Sequence, residues 1–238
     1  MKTRLLAFFA AMLTSVLLFA QQGGKESLNP KVASYIAGAI KEFDQIPAER
    51  KKALEKIALY VQSRITAGQE ARLTFICTHN SRRSHLSQVW AQTAACYYGV
   101  PSTKAYSGGI EVVACNPRTV AAMQRVGFEI KKTSESKNPV YEITYAQSQE
   151  PIKAFSKIYS DSPNPSADFC AVMNCDHADK TCPAVKGCAL RVAILYEDPK
   201  KFDDTPLEVT GYDERCQQIC REMLYLFSKV KLTKAAAQ

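Results

Sequence analysis

Several things are missing from this 238-residue chain, and each absence closes off a class of function. There is no block of basic residues. Thirty-one lysines and arginines against 23 acids give a net charge of +8, but they are spread along the chain without the aromatic interleaving of a nucleic-acid site. The surplus suits an anionic substrate and no nucleic acid. Nor is any apolar run long enough to span a bilayer with tilt to spare. The longest, Leu5 to Phe19, is broken by Thr14 and Ser15. With Lys2 and Arg4 before it and a polar Gln21-Gln22-Gly23-Gly24 after Ala20, residues 1–20 read as a secretory signal. No cysteine follows directly, so a lipoprotein anchor is not indicated. The expectation is an exported protein, periplasmic in a double-membraned bacterium, with no stable membrane insertion once the leader is cleaved. Finally, the cysteines show no common zinc-finger spacing.

Cysteines themselves are plentiful: Cys77, Cys96, Cys115, Cys170, Cys175, Cys182, Cys188, Cys216 and Cys220. Nine is odd, so they cannot all pair within one chain. A chain of this length also builds a sizeable core without disulfide staples.

The stretch that organises the rest is Leu73-Thr74-Phe75-Ile76-Cys77-Thr78-His79-Asn80-Ser81-Arg82-Arg83-Ser84. It reads as a strand, a tight loop and the start of a helix. Such a loop turns successive backbone N–H groups inward, and the helix N-terminus adds its positive dipole end. The result is a cradle for a tetrahedral oxyanion. Cys77 at its lip is surrounded by groups that favour a thiolate, a nucleophile facing the bound anion. Arg83 is suited to grip two oxygens at once. Thr78, His79, Asn80, Ser81, Arg82 and Ser84 complete the candidate substrate-binding loop.

Around this centre, residues 21–28 read as a polar linker. Asn29-Pro30 and Pro47 each open a helix, the second stopping at Gly68, so residues 21–68 are a linker and helical hairpin and residues 69–238 the catalytic domain. A helix follows the loop as far as Pro101. The pattern then gives strands near Thr103–Tyr106, Phe128–Ile130, Tyr141–Tyr145, Phe169–Asn174 and Leu190–Tyr196. It also gives helices from Pro117 to Val126, from Pro151 to Ser160 and from Tyr212 to Val230, and a cysteine-bearing loop after Asn174. Alternating strands and helices predict an α/β protein with a parallel sheet and ligands at the carboxyl ends of its strands.

Two further segments carry chemistry. Cys175 and Cys182 lie seven apart in a polar segment with Asp176, His177 and Lys180. They suit a disulfide, a redox relay or, least well, a metal with His177. Asp198-Pro199 places an acid after a strand, where it can protonate a leaving oxygen; Asp203 and Asp204 are close alternatives.

Taken together, Cys77 to Ser84, the Cys175/Cys182 pair with Ala178, Asp179 and Pro183, and Asp198-Pro199 resemble the low-molecular-weight protein tyrosine phosphatase superfamily. Within it they are most similar to the thioredoxin-coupled arsenate reductase branch. The resemblance spans roughly Arg72 to Val230. It implies a four-stranded parallel sheet flanked by helices, Cys77 as nucleophile, Arg83 and the loop amides as oxyanion ligands, and Asp198 as acid. It also implies that Cys175 attacks Cys77 after arsenite leaves, that Cys182 attacks Cys175, and that a thioredoxin-like partner reduces the final disulfide. Three positions depart from the pattern. His79 replaces a small residue, Arg82 a cysteine, and Gln88 an acid that supports a cation, so neither a potassium site, another metal nor an organic cofactor is expected. Two other functions remain open: hydrolysis of phosphate monoesters by Cys77, Arg83 and Asp198 alone, and a non-catalytic oxyanion or thiol sensor.

Overall fold

The computed structural model describes residues 28–182 and 184–232; the expected leader and most of the linker lie outside them. The N-terminal hairpin forms as its caps dictate. In α1 (Pro30–Ile40) the Asn29 side chain accepts from the Lys31 N–H, and α2 runs Ala48–Thr66. Next come β1 (Ala71–Cys77), α3 (Arg83–Tyr97), β2 (Thr103–Gly109) and α4 (Pro117–Val126), the last closed by Gly127 in the left-handed region at φ 113°. The chain continues through β3 (Glu129–Lys132), β4 (Tyr141–Thr144), β5 (Ile152–Ala154), β6 (Phe169–Met173), α5 (Asp176–Thr181), β7 (Cys188–Ala193) and α6 (Glu208–Ser228).

Four strands form a parallel sheet in the order β2-β1-β6-β7. All their carboxyl ends therefore lie along one edge. Cys77 ends β1 opposite Gly109 of β2, and Cys175 and Asp198 follow β6 and β7. A second, antiparallel sheet contains β3-β4-β5.

Alternation along the strands divides the core. Leu73, Phe75, Cys170, Val172 and Val192 face a large cluster built with α1, α2, α3 and α6, including Ile36, Leu54, Ile57, Trp90, Leu226 and Phe227. The hairpin thus shares the main core with the sheet. Ile76, Phe169, Ala171 and Met173 face a smaller cluster with Cys77, Cys175, Ala178 and Val185, against which Tyr159, Cys182 and Cys188 pack.

Two local expectations are corrected. Residues 151–160 are not a helix. Ile152 and Ala154 are buried on either side of exposed Lys153, a two-residue period, and β5 pairs with β4. The segment after Asn174 is not a loop but the short helix α5, capped by Cys175, with Asp176 and Asp179 in its first turn and Lys180 in its last.

Candidate active site

The loop from Cys77 to Arg83 is held from three directions. Asn80 is fully buried at φ 44°, a left-handed conformation that asparagine tolerates better than most residues. Its Nδ2 donates to Ser84 Oγ at 2.9 Å, and its Oδ1 accepts the Lys157 N–H at 3.0 Å. Ser81 Oγ donates to the Ala114 carbonyl, while the Ser81 carbonyl accepts from Asn116 N–H beside the start of α4. Ser156 Oγ donates to the His79 carbonyl at 2.8 Å. Residues 156–159 form a strap beneath the loop: Gly109 N–H donates to Lys157 O, and Tyr159 N–H to Gly109 O. The strap runs so close to Gly108 that a Cβ there would collide with the Tyr159 backbone. Sequence reading missed Ser156 and Lys157, because a helix was expected there; the alternation of Ile152 and Ala154 was the available signal.

Cys77 is buried, with Sγ 3.1 Å from Ser84 Oγ. Asn80 already donates to that hydroxyl oxygen, so the Ser84 proton is free to point at the sulfur. Arg83 reaches across the mouth of the site. Its Nη2 donates to Asp198 Oδ2 at 2.6 Å and its Nη1 to the Tyr196 carbonyl at 3.1 Å, while Nε is buried without a hydrogen-bond partner. Asp198 also caps the turn Pro199–Phe202 by accepting from Lys200 N–H. Thr78, Arg83, Cys175, Asp176, His177 and residues 195–198 line a cavity of about 520 Å³.

The structure brings Cys175 to the same place. Its Sγ lies 3.3 Å from Thr78 Oγ1, adjoining Cys77 in the chain, and accepts the Ala178 N–H at 3.4 Å. Cys182 sits at the far end of α5, half-buried beside Tyr159. The Tyr159 hydroxyl is shifted up by burial and then by Cys182. Cys77, Cys175 and Cys182 are free thiols here. Burial pushes Cys115 and Cys216 up to about 12 and raises Cys170 and Cys220 further, making them inert core thiols.

Other candidates lie elsewhere. Arg82 points past the loop, donating through Nε to Tyr212 Oη at 2.8 Å and through Nη2 to Asp203 Oδ2 at 3.3 Å, with Nε also 3.8 Å from Asp198 Oδ1. Asp203 also accepts from Tyr212, and Asp204 pairs with Arg118, so both alternative acids are engaged away from Arg83. The His79 imidazole meets Glu111 at 3.1 Å and lines a neighbouring 330 Å³ depression with Arg82, Val113 and Lys200. Gln88 is fully used, donating to Ala105 O and accepting from Ser107 Oγ. Among the described residues no group of His, Cys, Asp and Glu is placed to hold a metal, and no helix is long and apolar enough to cross a membrane.

No family model matches the chain. An arsenate reductase of Bacillus subtilis is 32% identical over 141 residues, 59% of this chain and 83% of the relative. The chain belongs to the same arsenate reductase family. The arsenate reductase of Halalkalibacterium halodurans is 30% identical over 135 residues, 56% of this chain and 78% of that protein. Among solved structures, an arsenate reductase in a phosphate-binding state covers 68% of this chain and 99% of its own, with TM-score 0.42 and 16% identity. The chain is an enzyme of that family, with the four-stranded parallel α/β fold its motifs imply.

Proposed function

We propose that the enzyme reduces arsenate to arsenite with three thiols. The observation that carries this reading is the buried 3.3 Å contact between Cys175 Sγ and Thr78 Oγ1, which puts a second thiol beside the nucleophile's loop. Ester hydrolysis has no use for it.

Arsenate enters the loop and meets the unpartnered Arg83 Nε. The Cys77 thiolate attacks arsenic, and an arsenate oxygen leaves as water after protonation from Asp198. The Cys175 thiolate then attacks Cys77 Sγ. The S–As electron pair departs with arsenic, which falls from the +5 to the +3 state as arsenite, and a Cys77–Cys175 disulfide forms. Attack by the Cys182 thiolate on Cys175 Sγ frees Cys77 and moves the disulfide to Cys175–Cys182. A thioredoxin-like dithiol restores both thiols. Export of the chain would require that donor outside the cytoplasm.

One step demands movement. Cys175 and Cys182 flank the six-residue α5, and seven residue steps at helical rise separate their Cα atoms by ~10 Å. A disulfide needs less than ~7 Å, so α5 unwinds when the second disulfide forms.

Disulfide mapping tests the scheme. Fully reduced protein is given arsenate alone, quenched with an alkylating agent and compared with an arsenate-free control. A Cys175–Cys182 bond present only with arsenate, and absent from Cys77→Ser, is the expected result. Free Cys175 and Cys182 in a preparation that hydrolyses an aryl phosphate would show a phosphatase instead.

A further inference from the structure

Arg50 belongs to α2, outside the Arg72–Val230 stretch that carries the family resemblance, yet it ends at the back of the active site. Its Nη2 donates to the Leu195 carbonyl at 2.6 Å, and its guanidinium lies over the Tyr196 ring, 5.3 Å from the centroid. Nε is 3.7 Å from buried Glu222, which accepts the Tyr196 hydroxyl at 2.8 Å. Tyr196 is therefore gripped at its ring by Arg50 and at its hydroxyl by Glu222. Its carbonyl accepts from Arg83 Nη1, and two residues later Asp198 accepts from Arg83 Nη2. Residues 195–198 are thus held by Arg83 from the catalytic loop and Arg50 from the added hairpin, with longer ion pairs from Arg82 to Asp198 at 3.8 Å and from Arg215 to Glu197 at 3.5 Å.

We propose that Arg50 is a positioning residue for Asp198: by holding Leu195 and Tyr196 it fixes the turn that carries the acid, and so makes the N-terminal hairpin part of the catalytic apparatus. The inference rests on the reading of Asp198 as the proton donor. Three observations support it. The contact is to a backbone carbonyl within three residues of the acid. The hairpin is fixed in the main core through Val32, Ile36, Leu54 and Ile57, so it offers a rigid support. Lysine would bring one point charge where the guanidinium makes a hydrogen bond, a ring stack and an ion pair together.

A double-mutant cycle tests it, measuring arsenite formation with a dithiol reductant in the full chain. Arg50→Gln is expected to lower kcat about tenfold or more while KM for arsenate stays within about twofold. In an Asp198→Asn background the same change should cost less than about twofold, because the group it positions is gone. Arg50→Lys should recover part of the loss. Arg50→Gln leaves Glu222 buried without its cation, so Arg50→Gln/Glu222→Gln is measured beside it; the same kcat loss is expected. An unchanged kcat in that folded double variant, or an equal Arg50→Gln loss in the Asp198→Asn background, overturns the inference. If Asp198→Asn alone leaves turnover intact, the acid assignment falls and takes this inference with it. If the wild type reduces no arsenate but hydrolyses p-nitrophenyl phosphate, the reductase reading has failed separately. The same cycle is then run on that hydrolysis, where the same outcomes decide.

Discussion

The two faces of the parallel sheet are built to different depths. One carries α2, α3 and α6, of 19, 15 and 21 residues, over a core that includes Trp90, Phe75 and Phe227. The other carries the six-residue α5, Val185 and the strap around Tyr159. In the proposed mechanism the anion loop and the acid stay fixed; both are tied to the thick face, and the loop also rests on the strap. The anion loop opens α3, and the Asp198 turn is tied through Tyr196 to α2 and α6. Cys175 and Cys182, which exchange partners in the proposed mechanism, ride on the thin face. A helix of six residues is not stable alone and forms only while its neighbours hold it. In the proposed mechanism, anion capture and attack would therefore use the firmly anchored groups, and disulfide transfer the thinly supported ones.

The strongest way to break this comparison is to remove the mobile thiol. Cys175→Ser should lower arsenite turnover by at least ~10³, since a covalent mechanism loses its second nucleophile. The rigid half should survive: phosphate or arsenate protection of Cys77 from alkylation is expected to be unchanged. Loss of that protection would mean that Cys175 shapes the loop itself. Next in size is a cut into the thick face. Trp90→Ala, which removes the Tyr35 stack and the Phe128 edge contact, should cost ~3–5 kcal/mol in denaturant unfolding. Val185→Ala on the thin face should cost about half that or less. Equal costs would contradict the difference in packing.

Much of this was legible in the sequence because each signal is local. Asn29-Pro30, Asn116-Pro117 and Gly127 state helix ends through capping and backbone chemistry. Leu73 to Ser84 carries strand, loop and helix within twelve residues. What was not legible depends on distant partners. Arg82 reads as a loop cation, but Tyr212 and Asp203, more than a hundred residues away, draw it off. Residues 151–160 look helical until β4 pairs with them and Asn80 claims the Lys157 amide. Arg50 carries no signal in its own neighbourhood, since its role is set by Leu195 and Glu222.

The strap gives a pH test of the support beneath the anion loop. Lys157 is buried, its ammonium 4.5 Å from the Phe155 ring centroid, and burial pulls its pKa down from 10.5 to about 8; Cys115 and Asp161 oppose that shift. The unfolded chain holds this proton more tightly than the folded one. Stability should therefore rise with pH between about 8 and 10.5, by up to ~3 kcal/mol. Below that window the cost is constant. Lys157→Met should flatten the rise measured by urea unfolding at several pH values. An unchanged slope would show that the ammonium is solvated in solution.

The smallest expected effect bears most directly on the mobile side. Arg191 of β7 latches α5: its Nη2 donates to the Asp179 carbonyl at 2.8 Å and to the Cys182 carbonyl at 3.0 Å, and it pairs with the Asp179 carboxylate at 2.7 Å. Few other side-chain bonds restrain the helix from outside. Arg191→Ala should raise amide hydrogen exchange across residues 176–182 while leaving α2, α3 and α6 unchanged. It should also speed conversion of the Cys77–Cys175 disulfide to Cys175–Cys182 a few-fold, with the first step unaltered. The direction is the decisive feature. If α5 acts as a rigid platform that aligns Cys182, loosening it must slow the transfer; if unwinding limits the transfer, loosening it must accelerate it. A slower second step in Arg191→Ala would therefore reverse the assignment of the thin face as the moving part.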